Sequence, residues 1–155
     1  LVYGATGALS FDKIAANTHT HSGLLAGGLA MIIVGLAFKT SAAPFHMWTP
    51  DVYQGAPTPV TAFMAAATKV GALVVTARLL VTAFPTDEHL WTCSIAVIAI
   101  ISLVVGNIAA LAQRSVKRLL AYSSVSHAGF MLFAIAAANS LGARDRKSTH
   151  LNSSH

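Results

Sequence analysis

Lys69 lies deep within an apolar run, which makes it the first candidate for proton chemistry. It comes nine residues after Val60, near the start of that run, so it lies roughly 14 Å along a helix. An ammonium at that depth costs about 2.5–3.5 kcal/mol on insertion scales, so such groups face protein or water rather than lipid. Its helical neighbours include Ala65, Ala66 and Ala72, whose small side chains suit close packing. We predict that Lys69 faces a bundle interior or a hydrated cavity.

A lysine in such surroundings can release its proton, because burial in an apolar medium disfavours the charged form. This chemistry makes Lys69 a candidate proton carrier. The alternative is a structural lysine that pairs with a carboxylate outside this stretch of chain. Function is favoured, because ionisable groups inside a membrane are functional by default.

Lys39 lies near the end of the first apolar run, five residues before Pro44. Pro44 cannot donate to the carbonyl of Thr40, and its ring clashes there, so the helix is predicted to kink or break between Lys39 and Pro44. Unpaired backbone is tolerated at membrane depth only beside protein or water, and a cation beside a broken helix is typical of ion sites in transporters. A lysine that ends the span and extends its ammonium to the interface fits the spacing equally well.

His127 is the third candidate, and it follows a run of hydroxyl side chains. Ser123 and Ser124 lie four and three residues before it and share its helical face. A histidine with hydroxyl neighbours can relay protons, and a histidine hydrogen-bonded for packing fits the spacing equally well. We predict no metal site, because neither His46 nor the histidines at positions 19 and 21 have a further ligand nearby.

The composition indicates which elements hold these side chains. Of 155 residues, 55% are apolar and 10% are charged, whereas soluble domains carry about 25% charged residues. Together with a mean hydropathy of +0.65, this excludes most soluble folds, disordered tails and nucleic-acid-binding arms. The net charge of +5 is therefore interpreted as a mark of cytoplasmic loops. The single cysteine, Cys93, gives neither a disulfide framework nor a thiolate metal site.

The apolar runs are long enough to cross a bilayer, which takes about 20 residues in a helix. They show no period-2 alternation, so we predict an all-α integral membrane fold, an antiporter-like helical bundle rather than a transmembrane barrel. Four transmembrane helices are predicted, the first of them broken near Pro44. Their approximate ranges are 23–43, 60–83, 91–112 and 119–142.

Loop charge predicts the orientation of these spans. The loop at 114–118 carries three positive charges, and the loop with Asp87 and Glu88 is acidic. The positive-inside rule places the 114–118 loop in the cytoplasm or an equivalent compartment. The loop at 44–59 is expected on the same side, and the acidic loop on the other.

The two ends of the chain differ from its middle. Residues 1–22 are predicted to hold the end of a preceding helix and a polar loop, within an internal fragment that has no initiator methionine or signal peptide. Residues 144–155 are polar and follow a nearly apolar helix, so they are interpreted as a non-native tail, with a genuine basic tail as the alternative. Residues 23–143 form the predicted helical bundle.

The proline-flanked segment 38–63, FKTSAAPFHMWTPDVYQGAPTPVTAF, resembles the antiporter-like membrane subunits. That group includes three subunits of respiratory complex I, multi-subunit cation/proton antiporters and membrane-bound hydrogenases. Within the group, the run DVYQGAP at 51–57 is similar to subunit N of proton-pumping NADH–quinone oxidoreductase. The resemblance covers residues 1 to about 143, including segments 3–7, 68–72 and 116–130.

The resemblance implies roles for all three candidates. In the family, two inverted repeats each form a half-channel around a broken helix. Lys39 matches a lysine before the break that pairs with a glutamate of an earlier helix. Lys69 matches a lysine on the central hydrophilic axis, and His127 continues that polar path. Since Glu88 lies in a loop, the glutamate partner and the second broken helix are expected outside residues 1–143, and this stretch is not expected to pump by itself.

The implied function is proton translocation by a subunit of NADH–quinone oxidoreductase, an H⁺-translocating enzyme that couples electron transfer from NADH to quinone to pumping. The subunit is expected to bind no cofactor, whereas the complex uses NADH, FMN, iron–sulfur clusters and quinone. The implied partners are the lipid bilayer, the other membrane subunits and quinone at the level of the complex, without nucleic acid. A bacterial inner membrane is the expected location, with an organellar inner membrane or thylakoid as alternatives. The alternative function is a component of a cation/proton antiporter or a membrane-bound hydrogenase.

Overall fold

The computed structural model describes residues 1–17, 23–85 and 88–152, with side chains described as far as residue 138. These residues form helices joined by short connections, and no strand occurs in them. The helices are α1 (Val2–Thr6), α2 (Phe11–Asn17), α3 (Gly23–Thr40), α4 (Trp48–Gly55), α5 (Thr58–Phe63), α6 (Lys69–Ala83), α7 (Glu88–Leu111) and α8 (Val116–Asn152), with a π-helical segment, Met64–Thr68, between α5 and α6.

Four helical stretches are long and apolar enough to span a membrane: Gly23–Thr40, Thr58–Ala83, Glu88–Leu111 and Val116–Ala138. The second of them runs through α5, the π segment and α6 without interruption. The predicted all-α fold with four candidate spans is thus confirmed within the described residues. The backbone of α8 continues to Asn152. That residues 144–155 are non-native stays a prediction, because their side chains lie outside the described part.

The break after α3 comes where the sequence predicts it. Ser41 adopts a left-handed φ of 63°, and the Thr40 hydroxyl donates back to the carbonyls of Leu36 and Ala37 at 3.0 and 3.2 Å. The N–H of Ala43 donates to the hydroxyl of Ser102 on α7 at 2.8 Å. This long-range bond gives the Ala43 N–H an acceptor in place of the helical carbonyl that it loses where α3 ends.

Residues 1–17 contain more helix than predicted. The stretch expected to be loop forms α2, whose Phe11 and Ile14 lie one turn apart and share a face. Ile14 is buried, and α2 packs on α6. Phe11 remains exposed, so the burial of Ile14 and the packing of α2 on α6 supply the stability that its short polar sequence does not indicate. Positions 19 and 21 lie outside the described residues.

The closest helix packing joins α7 to α8 through two glycines. A Cβ added at Gly106 would lie 2.8 Å from the backbone N of Ser126, and one at Gly129 would lie 3.0 Å from the carbonyl oxygen of Ala99. Small residues at such crossings let two backbones approach, as membrane helices require. This seam fixes the rotation of α8 and therefore the direction of its polar side chains.

Candidate functional site

Lys69 begins α6 directly after the π segment Met64–Thr68. Its side chain is 5% exposed, although it lies within an apolar span. A π segment widens one helical turn and often marks a functional site. Here it sets the rotation at which the Lys69 side chain leaves its helix.

The Lys69 ammonium is held by one residue of α8. Nζ donates to the carbonyl oxygen of Ser124 at 2.8 Å and to its hydroxyl oxygen at 2.5 Å. Among the described residues, no carboxylate lies within ion-pairing distance of Nζ, and Asp51 and Arg118 form the salt bridge. The structural alternative places its carboxylate outside this stretch of chain, so both interpretations of Lys69 stay predictions.

A cavity of about 520 Å³ lies beside Lys69, between the α5–α6 helix and α8. Its wall is mostly apolar and includes small alanines of the π segment. The polar atoms come from a few side chains, among them Tyr53, Lys69, Lys117, Ser124 and His127. A volume of this size suits several water molecules or a small ligand.

His127 lines the same cavity, and its hydrogen bond identifies its exchangeable nitrogen. Nδ1 lies 2.8 Å from the carbonyl oxygen of Ser123. Because a carbonyl only accepts hydrogen bonds, Nδ1 carries the hydrogen, and Nε2 is the acceptor in the neutral ring. Lys69 and His127 therefore each contribute a side-chain nitrogen to the lining of one cavity.

Lys39 does not reach this cavity. It lies in the last turn of α3 with an exposed side chain, where a positive charge suits the carbonyl end of a helix. The adjacent residue, Phe38, packs against Trp48 across the break, with ring centroids 5.6 Å apart. The structure thus brings Lys69 and His127 together and leaves Lys39 beside the broken helix.

The break itself is rich in buried polar atoms. The Ser41 hydroxyl, His46 Nδ1 and the Thr49 hydroxyl are buried with no hydrogen-bond partner among the described residues. The ring of His46 meets that of Tyr122 edge-on at 6.0 Å. Burial lowers the pKa of His46, and a hydrogen bond with the backbone of Pro44 opposes that shift.

The sequence did not indicate Tyr53 as a residue of the site, and it did not indicate Ser124 as the residue that binds Lys69. Tyr53 is 2% exposed and lines the Lys69 cavity together with Ser124. Burial raises the pKa of Tyr53, and the nearby Ser124 side chain opposes the rise. A buried tyrosine hydroxyl needs a polar partner, but the chain alone does not indicate which helix supplies it.

The described residues contain no group of three or more His, Cys, Asp or Glu side chains that could hold a metal ion. The polar atoms of the cavity are amine, imidazole and hydroxyl groups without a carboxylate.

Comparisons of this chain with known proteins agree on one family. Residues 1–151 match the family described as NADH:quinone oxidoreductase/Mrp antiporter, TM. The chain is 51% identical to NADH-quinone oxidoreductase subunit N of Salinibacter ruber over 145 residues, covering 92% of the chain and 29% of that protein. It is 52% identical to the subunit N of Maricaulis maris over 143 residues, covering 92% and 30%. The chain thus spans about 30% of the length of these relatives.

A solved structure shares the fold. A chain of the Mrp complex from Dietzia sp. superposes with a TM-score of 0.78 at 24% identity, covering 88% of this chain and 25% of that one. At this identity the likeness supports the helical architecture alone.

Proposed function

Because the chain belongs to the NADH:quinone oxidoreductase/Mrp antiporter membrane family, we propose that it acts within a subunit N, through which NADH–quinone oxidoreductase translocates protons. The observation that carries the proposal is Lys69, which is buried in an apolar span and open to the cavity that it shares with His127. Within the described residues, its ammonium is bonded only to neutral oxygens of Ser124. A lysine in this setting can change protonation state without breaking an ion pair.

The two bonds to Ser124 are compatible with both states of Lys69. A charged lysine carries three N–H groups, and a neutral one carries two N–H groups and a lone pair. The two acceptors on Ser124 can hold two N–H groups in either state. The remaining position on Nζ is where a proton leaves and returns, so Ser124 orients the exchange without taking part in it.

His127 gives the cavity a second exchange point. With Nδ1–H donated to Ser123, Nε2 can accept a proton and later release it. We place Lys69 and His127 on the translocation path, and Lys39 beside the break as the residue whose charge environment controls access. Support for Lys39 comes from its position at the broken helix and from the family resemblance.

The electron-transfer chemistry belongs to the assembled complex in this proposal. The complex would use NADH, FMN, iron–sulfur clusters and quinone, with none of them bound by this chain. Its partners are the lipid bilayer and other membrane subunits. The bacterial relatives support a location in the bacterial plasma membrane.

The test is Lys69→Ala in the intact subunit within the assembled complex. We expect NADH-driven proton uptake by inverted membrane vesicles to fall at least tenfold, because the exchanging nitrogen is gone. Lys13→Ala, at an exposed position of α2, is the matched control and should pump normally.

Unchanged quinone-coupled activity and proton stoichiometry in Lys69→Ala would overturn the assignment. Cation/proton exchange that persists without NADH, and that depends on Lys69, would instead identify an antiporter component.

A further inference from the structure

Ser102 of α7 lies where α7 meets both the break after α3 and α8. Its side chain is fully buried. The hydroxyl oxygen accepts the N–H of Ala43, within the break, at 2.8 Å, and the hydroxyl donates to the carbonyl of Ile98 at 2.7 Å. Because a serine hydroxyl has one hydrogen and two lone pairs, the bond to Ile98 fixes the hydrogen and leaves the lone pairs for Ala43.

The break needs this acceptor. Ala43 is fully buried, and in a continued helix its N–H would donate to the carbonyl of Lys39. The left-handed φ of 63° at Ser41 takes the chain out of that geometry. Because a buried N–H without a partner is costly, the position of the break is tied to the position of the Ser102 hydroxyl.

The backbone of α8 lies directly against Ser102. A Cβ added at Gly129 would lie 3.0 Å from the Ser102 Cβ and 3.0 Å from the carbonyl oxygen of Ala99, so α8 passes Ser102 without room for a side chain. Gly129 lies two residues after His127, on the helix that also binds the Lys69 ammonium. The helix that holds Lys69 therefore contacts the serine that holds the break.

We propose that Ser102 is a positioning residue that holds the break after α3 in a fixed place against α8. Lys39 lies four residues before Ala43, in the last turn of α3, and Lys69 is bonded to α8. Ser102 thereby sets the placement of Lys39 relative to the Lys69 cavity, and it does so through the Ala43 N–H. The inference rests on the proposed function, because this placement matters only if both lysines serve proton translocation.

A second serine of α7 provides a matched comparison. Ser94 donates to the carbonyl of Leu90 at 2.8 Å, the same bond within the helix that Ser102 makes to Ile98. Its side chain is exposed, whereas the Ser102 oxygen also accepts a bond from backbone 59 residues away. Ser102→Ala and Ser94→Ala therefore separate the loss of the bond to the break from the loss of a helical serine hydroxyl.

The experiment measures two quantities in the intact subunit of the assembled complex, hydrogen exchange of the Ala43 amide and NADH-driven proton uptake. In Ser102→Ala, exchange should become about fivefold faster and proton uptake about fivefold slower, the factor that corresponds to one neutral hydrogen bond. Ser94→Ala should match the wild type in both measurements.

Gly129→Ala tests the contact with α8. The added Cβ must displace either Ser102 or α8, so exchange of the Ala43 amide should become faster although the Ser102 hydroxyl is retained. Gly35→Ala, whose added Cβ meets nothing within 4 Å, is the matched control and should leave this exchange unchanged.

Unchanged Ala43 exchange in Ser102→Ala or in Gly129→Ala would overturn the proposal, as would wild-type proton uptake by Ser102→Ala. If Ser102→Ala reduces the amount of assembled complex, Ser102→Cys decides. Because sulfur is a weaker acceptor, this variant should also exchange faster and pump more slowly, and wild-type values in it overturn the proposal.

Lys69→Ala separates the two levels of inference. Normal pumping by Lys69→Ala removes the proposed function, whereas its loss of pumping together with wild-type behaviour of Ser102→Ala removes only the positioning role.

Discussion

At the scale of single residues, neutral oxygen atoms accept the hydrogen bonds of Lys69, in the place where a carboxylate often pairs with a buried lysine. Ser124 offers a carbonyl and a hydroxyl to Nζ, and each of these bonds is weaker than one to a carboxylate. A weakly held ammonium gives up its proton more readily than one in an ion pair. His46 also lies among neutral groups. It is buried beside Tyr122, and one of its ring nitrogens has no partner among the described residues.

His46 predicts a pH dependence of stability. Burial lowers its pKa below the ordinary value of 6.5, so below pH 6.5 the unfolded chain binds a proton before the folded one does. Stability is therefore full above pH 6.5 and falls as the pH drops from 6.5 toward the lowered pKa. His46→Gln should flatten this dependence in thermal unfolding of the detergent-solubilised complex, whereas His89→Gln, at an exposed position, should leave it in place. An equal slope in His46→Gln would contradict the prediction.

At the scale of elements, the α7–α8 seam and the π segment together position Ser124 and Lys69 relative to each other. Gly106 and Gly129 allow α8 to approach α7, and the π segment turns Lys69 toward Ser124. The sequence predicted the four long apolar spans, the break before Pro44 and the interior position of a lysine, because these follow from apolar length, proline geometry and depth. It could not predict Ser124 as the partner of Lys69 or Tyr53 as a lining residue of the cavity, because helix rotation and crossing depend on contacts between distant segments.

The seam predicts an asymmetric response to alanine. Gly106→Ala places a Cβ 2.8 Å from the backbone N of Ser126, so one helix must shift, at a cost of about 1–3 kcal/mol. Gly35→Ala on α3 meets nothing within 4 Å and should be neutral or stabilising by about 0.5–1 kcal/mol. Thermal unfolding of the two variants in matched detergent measures the difference. A Gly106→Ala variant as stable as Gly35→Ala would show that the seam is looser than described.

At the scale of the whole molecule, the charged side chains of the four candidate spans lie near the span ends, with Arg78 five residues from its end, except for Lys69. Arg114, Lys117 and Arg118 lie where α7 ends and α8 begins, at the end of the bundle where α4 meets α8 through Asp51. Glu88 begins α7 at the opposite end. The loop charges could be read from the sequence, whereas the contact of α4 with the basic end required the folded chain.

This distribution predicts the topology in the membrane. In a Cys93→Ser background, a cysteine at Ala112 should be shielded from a membrane-impermeant maleimide in intact cells, because the positive-inside rule places the basic loop in the cytoplasm. A cysteine at His89 should react. Both positions are exposed, and inverted vesicles should reverse the pattern. Labelling of Ala112→Cys alone in intact cells would reverse the assigned orientation.

The π segment also determines how the chain tolerates changes in length. Each residue of an α-helix turns the next by about 100°. The wide turn at Met64–Thr68 therefore accommodates an extra residue without rotating the rest of the second span. Deleting one residue there would remove the extra residue that the wide turn holds, so the span would close into regular α-helix with Lys69 still directed toward Ser124. Deleting one residue within the regular helix Lys69–Ala83 would instead rotate every following side chain of the span by about 100°. In the second span the effect of a lost codon therefore depends on which side of Lys69 it falls.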